Sequence, residues 1–339
     1  MKVPIISLET IHFPVMLNEV IKLCEPELGG FFIDCTFGGG GYTKELLKFS
    51  NTKVIALDRD KVAKKNADSI KKIYPERFSF HNEKFSNLDK VLEGNQIKAD
   101  SIIFDLGLSS FQLRDLSRGF SFKSKDRIDM SMGLSSLSAE EVINNYEEND
   151  LKLIIKIFGE ENDASRIARN IIKERKIKKI SKVSELVAII EKSKKKDYTK
   201  KINVCTKTFQ ALRIFVNKEI TELVEGIIKA TKYVKPGGKI IMVSFHSIED
   251  KIIKFYFSNY SKNKSNPSRY LPEEIKEKTI FFEDYRNVLF RPSEEEVLGN
   301  PPSRSAKLRY AIRNKEKFLN PAKFKDKFKR YLDLESINV

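Results

Sequence analysis

Apolar and polar residues in the first hundred positions alternate between a pattern typical of buried strands and one typical of amphipathic helices. Short, mostly apolar runs predict strands at residues 31–36, 54–58, 77–81 and 100–105. Apolar residues spaced three and four apart predict helices at residues 14–24, 42–49, 60–73 and 85–93. Because strands and helices alternate, we expect a parallel, doubly wound α/β sheet.

The pattern then changes, and only helical periods occur between about residues 138 and 200. Ser138 and Glu141 have the spacing of a capping box at the start of this segment. The α/β pattern returns with a long helix near 207–233, a Lys-Pro-Gly-Gly turn at 235–238 and a strand at 239–245. The sheet is therefore predicted to carry an inserted all-helical domain.

These patterns divide the chain into parts. We expect a discontinuous sheet domain at residues 1–112 and 205–315, a helical insertion at 113–204 and a basic C-terminal tail at 316–339. Residues 258–300 are polar and weakly periodic, which predicts a loop with short helices. The last dozen residues are expected to be frayed.

The chain has 339 residues and a net charge of +16, which favours a polyanionic partner. Residues 171–207 hold 13 Lys/Arg against 4 Asp/Glu, and residues 304–330 hold 11 against 2, although solvated helix faces would have the same composition. Three cysteines without metal-ligand spacing and only three histidines predict reduced thiols and no metal site. Without a long apolar run or a signal-peptide pattern, we expect a soluble, cytoplasmic protein.

The most informative segment is the run of glycines at 38–41, between the first predicted strand and the helix that follows it. Glycine lets the backbone approach a ligand closely, and the strand-to-helix turn directs free N–H groups into the crevice of an open α/β sheet. The second strand ends at Asp58, 20 residues after Gly38, a spacing that suits a carboxylate bound to ribose hydroxyls. These features predict a site for a nucleoside-containing cofactor.

The residues around the glycines select among such cofactors. A dinucleotide site needs a further glycine three positions after the second, where neither Thr43 nor Lys44 supplies one, so a nicotinamide dehydrogenase is disfavoured. Asp34, at the end of the first strand, fits poorly beside a pyrophosphate. A cofactor with a cationic centre and no phosphate fits better, and S-adenosylmethionine is the common one.

Several longer motifs narrow this hypothesis. They occupy residues 105–113 (DLGLSSFQL), 118–122 (RGFSF), 208–217 (TFQALRIFVN) and 244–250 (SFHSIED), with HFPVM at 12–16 and RSAKLR at 304–309. In this order they closely resemble the MraW/RsmH family, over roughly residues 10–312. Members of that family are S-adenosylmethionine-dependent enzymes that methylate the N4 amine of a cytidine in small-subunit (16S) ribosomal RNA. The resemblance implies a Rossmann-like (class I) methyltransferase sheet.

The resemblance also implies a set of cofactor contacts. These are the loop residues Gly40, Gly41 and Tyr42, the ribose-binding Asp58, Phe85 beside the adenine, Asp105 and Gln112. From the residue types alone, Phe85 could equally be a core aromatic and Gln112 a solvated loop residue.

The chain departs from the family pattern at several positions. Tyr42-Thr43 replaces a usual His-Ser, and Arg114 replaces a usual Asp. The segments at 127–132 (RIDMSM) and 203–207 (NVCTK) replace a usual PLDMRM and HPATR. Because these last segments are expected to face the substrate, the departures concern the RNA contacts more than the cofactor site.

An exocyclic amine of cytosine is a poor nucleophile, so an enzyme must align it with the methyl donor and accept its hydrogen bonds. Asp105, at a strand end, and His246, just after a later strand, are the candidate catalytic residues. Asp129 and Arg213 are candidates for substrate binding. His246 could instead be structural, and Arg213 could form an internal salt bridge. Direct displacement needs no metal.

The implied partner is small-subunit ribosomal RNA or an assembling small subunit, gripped by the helical insertion and the basic tail, with the target base out of its stack. The sequence leaves the oligomeric state open and predicts no membrane partner. One alternative is a non-catalytic RNA-binding or ribosome-assembly protein on the same fold, which a cofactor titration would distinguish. A DNA amino-methyltransferase is disfavoured because no Pro-Pro-aromatic motif follows Asp105.

Overall fold

The computed structural model describes residues 14–92, 98–194, 203–262 and 279–337. Strands in these ranges are β1 (Gly30–Asp34), β2 (Thr52–Leu57), β3 (Phe78–His81), β4 (Ala99–Asp105), β5 (Val234–Ser244) and β6 (Lys307–Ile312). They form one sheet in the order β3-β2-β1-β4-β5-β6. Strands β1 to β5 are parallel, and β1 pairs with both β2 and β4, so the strand order reverses at β1. The predicted doubly wound α/β fold is confirmed.

Helices surround this sheet. They are α1 (Leu17–Cys24), α2 (Gly41–Leu47), α3 (Ala63–Ile73), α4 (Leu88–Leu92), α5 (Ser110–Arg114), α6 (Ala139–Asn145), α7 (Glu148–Phe158), α8 (Ala164–Ile177), α9 (Val183–Ser193), α10 (Thr206–Asn217), α11 (Glu219–Tyr233), α12 (Ser247–Asn259), α13 (Glu294–Gly299) and α14 (Ala322–Glu335). Each is too short or too polar to span a bilayer, as far as the described ranges extend.

Some predicted features lie outside the described residues. These are residues 12 and 13 of the first motif, residues 195–202 of the first lysine cluster, and residues 263–278 of the predicted loop. In the described part of that loop, α13 is a short helix of the expected kind.

Alternate residues of the central strands pack on opposite faces of the sheet, as the pleat requires. Phe32 and Ile103 join the apolar cluster formed with α1, α2 and α3. Ile33, Ile102 and Phe104 join a second cluster, which extends without a break through α10 and α11 into α6 to α9. The helical segment therefore shares a core with one face of the sheet, and the division into domains stays a prediction.

The long helix predicted near 207–233 is wrong, because two helices meet at Lys218. This residue has a left-handed backbone conformation, with φ 50° and ψ 44°. The turn brings the Glu219 carboxylate back to Arg213, with hydrogen bonds of 2.8 and 2.9 Å from the guanidinium. Apolar periodicity continues through both helices, so it does not reveal the break.

The expectation that the chain is frayed at its end is also wrong up to Glu335, because these residues belong to α14. The rings of Phe324 and Phe328 are buried in the core. The Glu335 carboxylate accepts hydrogen bonds from the N–H groups of Ile220 and Thr221, at 2.9 and 2.7 Å. The basic tail is therefore a packed helix that caps the first turn of α11.

The region around β5 differs from the prediction in two ways. The predicted turn at 235–238 is a bulge within β5, since pairing to β4 passes from Ala99–Val234 directly to Ser101–Lys239. Strand β6 was not predicted, and it pairs antiparallel to β5. The sheet is therefore mixed rather than wholly parallel.

Candidate active site

A cleft opens at the carboxyl ends of β1, β2 and β4, where the strand order reverses. Its walls are the glycine loop after β1, residues between 58 and 66 after β2, residues between 105 and 118 after β4, and Glu219, Glu222, Phe245 and Glu249. Open α/β sheets bind their ligands at this position.

The glycine loop brings backbone to the cleft surface. Gly38 has φ 51°, in the left-handed region that favours glycine. A Cβ atom on Gly41 would lie 2.5 Å from Pro14 Cγ, and one on Gly39 would lie 3.0 Å from the Phe111 ring. Larger residues would therefore displace both neighbours and narrow the cleft.

Gly40 has a different surrounding, and it is not among the cleft-lining residues in the described part of the chain. A Cβ atom at this position, where φ is 75°, would lie 2.7 Å from the Phe37 ring and 2.8 Å from Ile70 Cδ1. Its N–H donates to the Phe37 carbonyl at 2.7 Å. Gly40 thus supports the loop from behind, and the cofactor contact implied for it stays a prediction.

Asp34 is fully buried beneath the loop. Its carboxylate accepts hydrogen bonds from the Thr43 hydroxyl at 2.7 Å and the Thr36 N–H at 3.3 Å. Burial raises the pKa of Asp34 to about 6, and the two hydrogen bonds oppose this rise. Thr43, one of the departures from the family pattern, therefore places a hydroxyl in a buried structural bond.

Asp58 follows β2 and lies on the cleft wall. Its Oδ2 accepts a hydrogen bond from the Gly38 N–H at 2.7 Å, and its Oδ1 accepts one from the Asp60 N–H at 2.7 Å. Burial raises the pKa of Asp58 to about 6, against the effect of these bonds. The backbone thus holds the carboxylate in place and leaves lone pairs on both oxygens for a ligand's hydroxyls.

Gln112 joins the motif after β4 to the loop after β2. It belongs to a capping box, in which its Oε1 accepts a hydrogen bond from the Ser109 N–H at 2.9 Å. Its Nε2 donates to Asp60 Oδ2 at 2.9 Å, and the Arg118 guanidinium donates to the same oxygen at 2.5 Å. The cleft wall is therefore cross-linked at this point.

Asp105 ends β4 inside the cleft. Burial, reinforced by the charge of Asp34, raises the pKa of Asp105 to about 8. A hydrogen bond with the Tyr42 hydroxyl opposes the rise. Asp105 Oδ1 is buried and has no hydrogen-bond partner among the described residues. A cationic ligand beside it would favour the ionised carboxylate.

Phe85 is half-buried, with part of its ring on the cleft wall. The ring packs edge to face against Phe104, at a centroid distance of 5.3 Å. Glu222, from α11, accepts a hydrogen bond from the Ser86 N–H at 3.4 Å and lies 3.8 Å from the Lys84 ammonium. Phe85 thus has the position of a cleft aromatic and the contacts of a core residue.

Glu249, in the first turn of α12, also lies on the cleft wall. Its Oε2 accepts a hydrogen bond from the Phe245 N–H at 2.9 Å, and its Oε1 lies 3.1 Å from His246 Nε2. His246 caps the helix, and its Nδ1 accepts a hydrogen bond from the Glu249 N–H at 3.4 Å. Both imidazole nitrogens therefore face Glu249.

Arg213 lies in α10 and is held by Glu219, whose carboxylate reaches the cleft wall. Donor atoms of Glu219, His246 and Glu249 all lie within 4.8 Å of one another, a spacing that could hold a cation. The Arg213 guanidinium already supplies a positive charge to this group, because it binds Glu219 and lowers the pKa of Glu249. The arrangement is an ion-paired network beside the cleft.

Asp129 lies away from the cleft, in one of the segments that depart from the family pattern. Its carbonyl accepts a hydrogen bond from the Ala139 N–H at 2.7 Å. Asn217 holds the same segment, since its Nδ2 donates to the Met130 carbonyl at 2.8 Å and its Oδ1 accepts from the Met132 N–H at 2.7 Å. These bonds join the helical segment to the end of α10.

The structure brings part of the predicted set together. The cleft-lining members are Gly41, Tyr42, Asp58, Phe85, Asp105 and Gln112. Within the described ranges, the members outside the lining are Gly40, Asp129, Arg213 and His246. Sequence reasoning missed Asp60, Glu222 and Glu249 as cleft residues. Glu249 stands in the quoted 244–250 motif, but a glutamate three positions after a helix cap is also ordinary capping.

The charge of the cleft is opposite to that of the chain. Its acidic lining consists of Asp58, Asp60, Asp105, Asp115, Glu219, Glu222 and Glu249, against the basic Arg59 and Arg118. The whole chain has a net charge of +16. Local carboxylates therefore favour a ligand with a cationic centre, while the surrounding surface favours a polyanion.

One protein family and several named proteins match most of the length of the chain. The sequence model of the MraW methylase family matches residues 9–314. The ribosomal RNA small subunit methyltransferase H of Ehrlichia canis (strain Jake) is 41% identical over 305 residues, which cover 89% of this chain and 99% of that protein. The protein of the same name from Rickettsia bellii (strain OSU 85-389) is 41% identical over 302 residues, covering 88% and 98%. That from Bartonella grahamii (strain as4aup) is 41% identical over 308 residues, covering 91% of each.

Proposed function

The chain belongs to the MraW methylase family, and from this premise we propose that it transfers a methyl group from S-adenosylmethionine to the exocyclic N4 amine of a cytidine in small-subunit (16S) ribosomal RNA. Relatives that are 41% identical and are covered almost from end to end carry the name ribosomal RNA small subunit methyltransferase H. One observation carries the proposal: Asp58, Phe85 and Asp105 line a single cleft where the strand order reverses.

The residues of the cleft suit S-adenosylmethionine. Asp58 would bind the ribose hydroxyls through the lone pairs that Gly38 and Asp60 leave unused. Phe85 would contact the adenine, and the unpartnered Asp105 Oδ1 would face a cationic part of the ligand. When bound, S-adenosylmethionine supplies an electrophilic methyl carbon on its sulfonium sulfur.

On the substrate side, the chain has to hold a weakly nucleophilic amine in line with that methyl carbon. The lone pair of the amine is delocalised into the pyrimidine ring, and hydrogen-bond acceptors help the nitrogen to pyramidalise. Asp105 and Glu249 both present carboxyl groups to the cleft. Holding the amine in an attack geometry contributes further to the rate.

The exposed cations of the chain suit an RNA substrate. On α8 and after it, Lys173, Lys176 and Lys182 are exposed, and on α14 Lys323, Lys329 and Arg330 are exposed. Such groups would bind phosphates of a folded RNA or an assembling small subunit. The target base would have to leave its stack, at a cost of a few kcal/mol unless it is already unpaired.

A labelling experiment tests this function. The protein is incubated with methyl-labelled S-adenosylmethionine and, separately, small subunits, naked small-subunit rRNA or DNA, and each product is digested to nucleosides. We expect label in N4-methylcytidine from RNA. Label in another nucleoside or in DNA would contradict the proposal. Binding of S-adenosylmethionine without transfer to any of the three would favour the non-catalytic RNA-binding alternative.

A further inference from the structure

We propose that Glu249 accepts a hydrogen bond from the target amine and takes up its proton during methyl transfer, with His246 and Arg213 as positioning residues, an assignment that rests on the proposed function. The sequence suggested Asp105 or His246 for this role. The geometry of the first turn of α12 points instead to Glu249, which contacts His246 and lies on the cleft wall.

The placement of Glu249 supports this role. The residue is 3% exposed, yet it lies on the wall of the cleft. Its Oε2 is held by the Phe245 N–H at 2.9 Å and the His246 N–H at 3.3 Å. Its Oε1 lies 3.1 Å from His246 Nε2, which makes no regular hydrogen bond among the described residues. This oxygen therefore keeps acceptor capacity for a ligand.

The charges around Glu249 keep it ionised. Burial by itself would raise its pKa, but His246, Arg213 and the Phe245 N–H hold the pKa of Glu249 below its ordinary value. Arg213 of α10 lowers the pKa of Glu249 through its charge, and two hydrogen bonds to Glu219 fix the guanidinium in place. An ionised carboxylate on the cleft wall has a free lone pair, with which it can accept a hydrogen bond and then the proton of the amine.

Asp105 is less suited to the same role. Burial and the charges of Asp34 and Glu249 raise the pKa of Asp105 to about 8, so in the unliganded cleft it is largely protonated at neutral pH. Two cleft carboxyl groups whose pKa values are driven apart commonly divide their roles in this way. Asp105 then faces the cofactor, and Glu249 faces the amine.

His246 is also less suited, because its ring nitrogens face Glu249 and it does not line the cleft in the described ranges. The imidazole is 5% exposed, and both of its nitrogens face Glu249 rather than the cleft. It can orient the Glu249 carboxylate but does not line the cleft wall in the described part of the chain.

The lone pair of the amine nitrogen forms the new N–C bond to the methyl group, and the electron pair of the broken S–C bond stays on sulfur. The N–H bond then breaks with its electron pair left on nitrogen, and an O–H bond forms at Glu249 Oε1. Solvent removes the proton after the product has left.

Glu249 could instead serve only as a helix-capping residue. Substitution with Gln distinguishes this structural role from proton acceptance. Glu249 is the third helical residue of a capping box, and Gln serves as well as Glu at that position. Glu249→Gln therefore keeps the cap and removes only the charge and the proton acceptor. Glu141 of α6 occupies the same place in another capping box, away from the cleft, so Glu141→Gln is the matched control.

The test compares single-turnover methylation rates at saturating small subunits and S-adenosylmethionine, with N4-methylcytidine identified in the wild-type product. We expect Glu249→Gln to lower the rate by about 10²–10⁴-fold, with little change in S-adenosylmethionine affinity or melting temperature, and Glu141→Gln to keep the wild-type rate. His246→Asn, which keeps an N-cap residue, should lower kcat by a smaller factor and leave KM unchanged.

Two results would overturn the assignment. If Glu249→Gln methylates within threefold of the wild-type rate, Glu249 is only a cap. If wild-type protein methylates a different nucleoside, the proposed function fails and this role fails with it. Should Glu249→Gln not fold, Glu249→Asp replaces it, since it retains the charge but retracts it by one methylene. A rate for Glu249→Asp equal to that of wild type would equally count against the role.

Discussion

Gly226 of α11 lies directly against the ring of Phe85, so closely that a Cβ atom at this glycine would stand 2.5 Å from Phe85 Cδ2. The position of the cleft aromatic thus depends on a glycine 141 residues later in the chain, in a different layer of the fold. The same ring packs edge to face against Phe104 of β4, which also lies close to Gly226.

Gly226→Ala should therefore weaken cofactor binding without direct contact to the ligand. The new methyl group must displace the Phe85 ring, because helix backbone cannot give way, and overpacking of this kind costs about 1–3 kcal/mol. We expect a loss of about tenfold in S-adenosylmethionine affinity by calorimetry. Gly299→Ala is the control, because a Cβ atom there meets nothing within 4 Å. Equal affinities of the two variants would show that the ring position does not matter.

Asp58→Asn should abolish detectable S-adenosylmethionine binding in the same calorimetric assay. The amide retains the shape of the side chain but replaces one acceptor oxygen with a donor, which would face the N–H of Gly38 or of Asp60 and could no longer accept a bond from a ribose hydroxyl. Asp68→Asn, on the exposed side of α3, should bind as wild type does. Wild-type affinity in Asp58→Asn would remove this carboxylate from the site.

Glu335 predicts a pH dependence of stability. Burial raises the pKa of Glu335 from 4.5 to about 8. Between these two pH values the folded chain therefore holds a proton on this carboxyl group that the unfolded chain has released. This contribution to the free energy of unfolding is present in acid and is lost as pH rises from about 4.5 through 8. Glu335→Gln should cost about 1 kcal/mol at pH 5, where one acceptor is lost, and less at pH 9.

The measurement is urea unfolding of wild type and Glu335→Gln at several pH values. The matched control is Glu148→Gln, on the exposed side of α7, which should follow the wild-type pH profile. If Glu335→Gln followed that profile as well, the capping carboxylate of α14 would not titrate in this range.

The exposed cations of α14 predict a change in salt dependence. Replacing Lys323, Lys329 and Arg330 with Gln should weaken binding to small-subunit rRNA and flatten the plot of log affinity against log salt, by about 0.7–0.9 for each cation that contacts a phosphate. Filter binding at several salt concentrations measures this slope. Replacing the exposed Lys64, Lys65 and Lys72 of α3 removes the same charge elsewhere and should leave the slope closer to that of wild type. Identical slopes for both triple variants would place the RNA away from α14.

Local signals were sufficient to predict the sheet and the cofactor side of the cleft. Apolar runs that end in an acid predicted β1, β2 and β4, and the carboxyl ends of neighbouring parallel strands must meet at one edge, which is where Asp58 and Asp105 lie.

Features that depend on distant contacts could not be predicted in this way. The order of α14 follows from burial of Phe324 and Phe328. The break at Lys218 is local, but apolar periodicity continues across this left-handed residue and therefore does not reveal it. Whether a loop glycine borders the cleft, and which way an imidazole ring points, is likewise decided by neighbouring residues in the fold. This is why Gly40 and His246 do not line the cleft in the described ranges, although their motifs border it.

A crystal structure of the protein soaked with S-adenosylmethionine tests the central claim most directly. We expect ribose hydroxyls within about 3.2 Å of the Asp58 carboxylate, the adenine beside Phe85, and the methyl group directed into the space bordered by Asp105 and Glu249. Density for the ligand elsewhere on the chain, or a cleft that stays empty at saturating ligand, would contradict it.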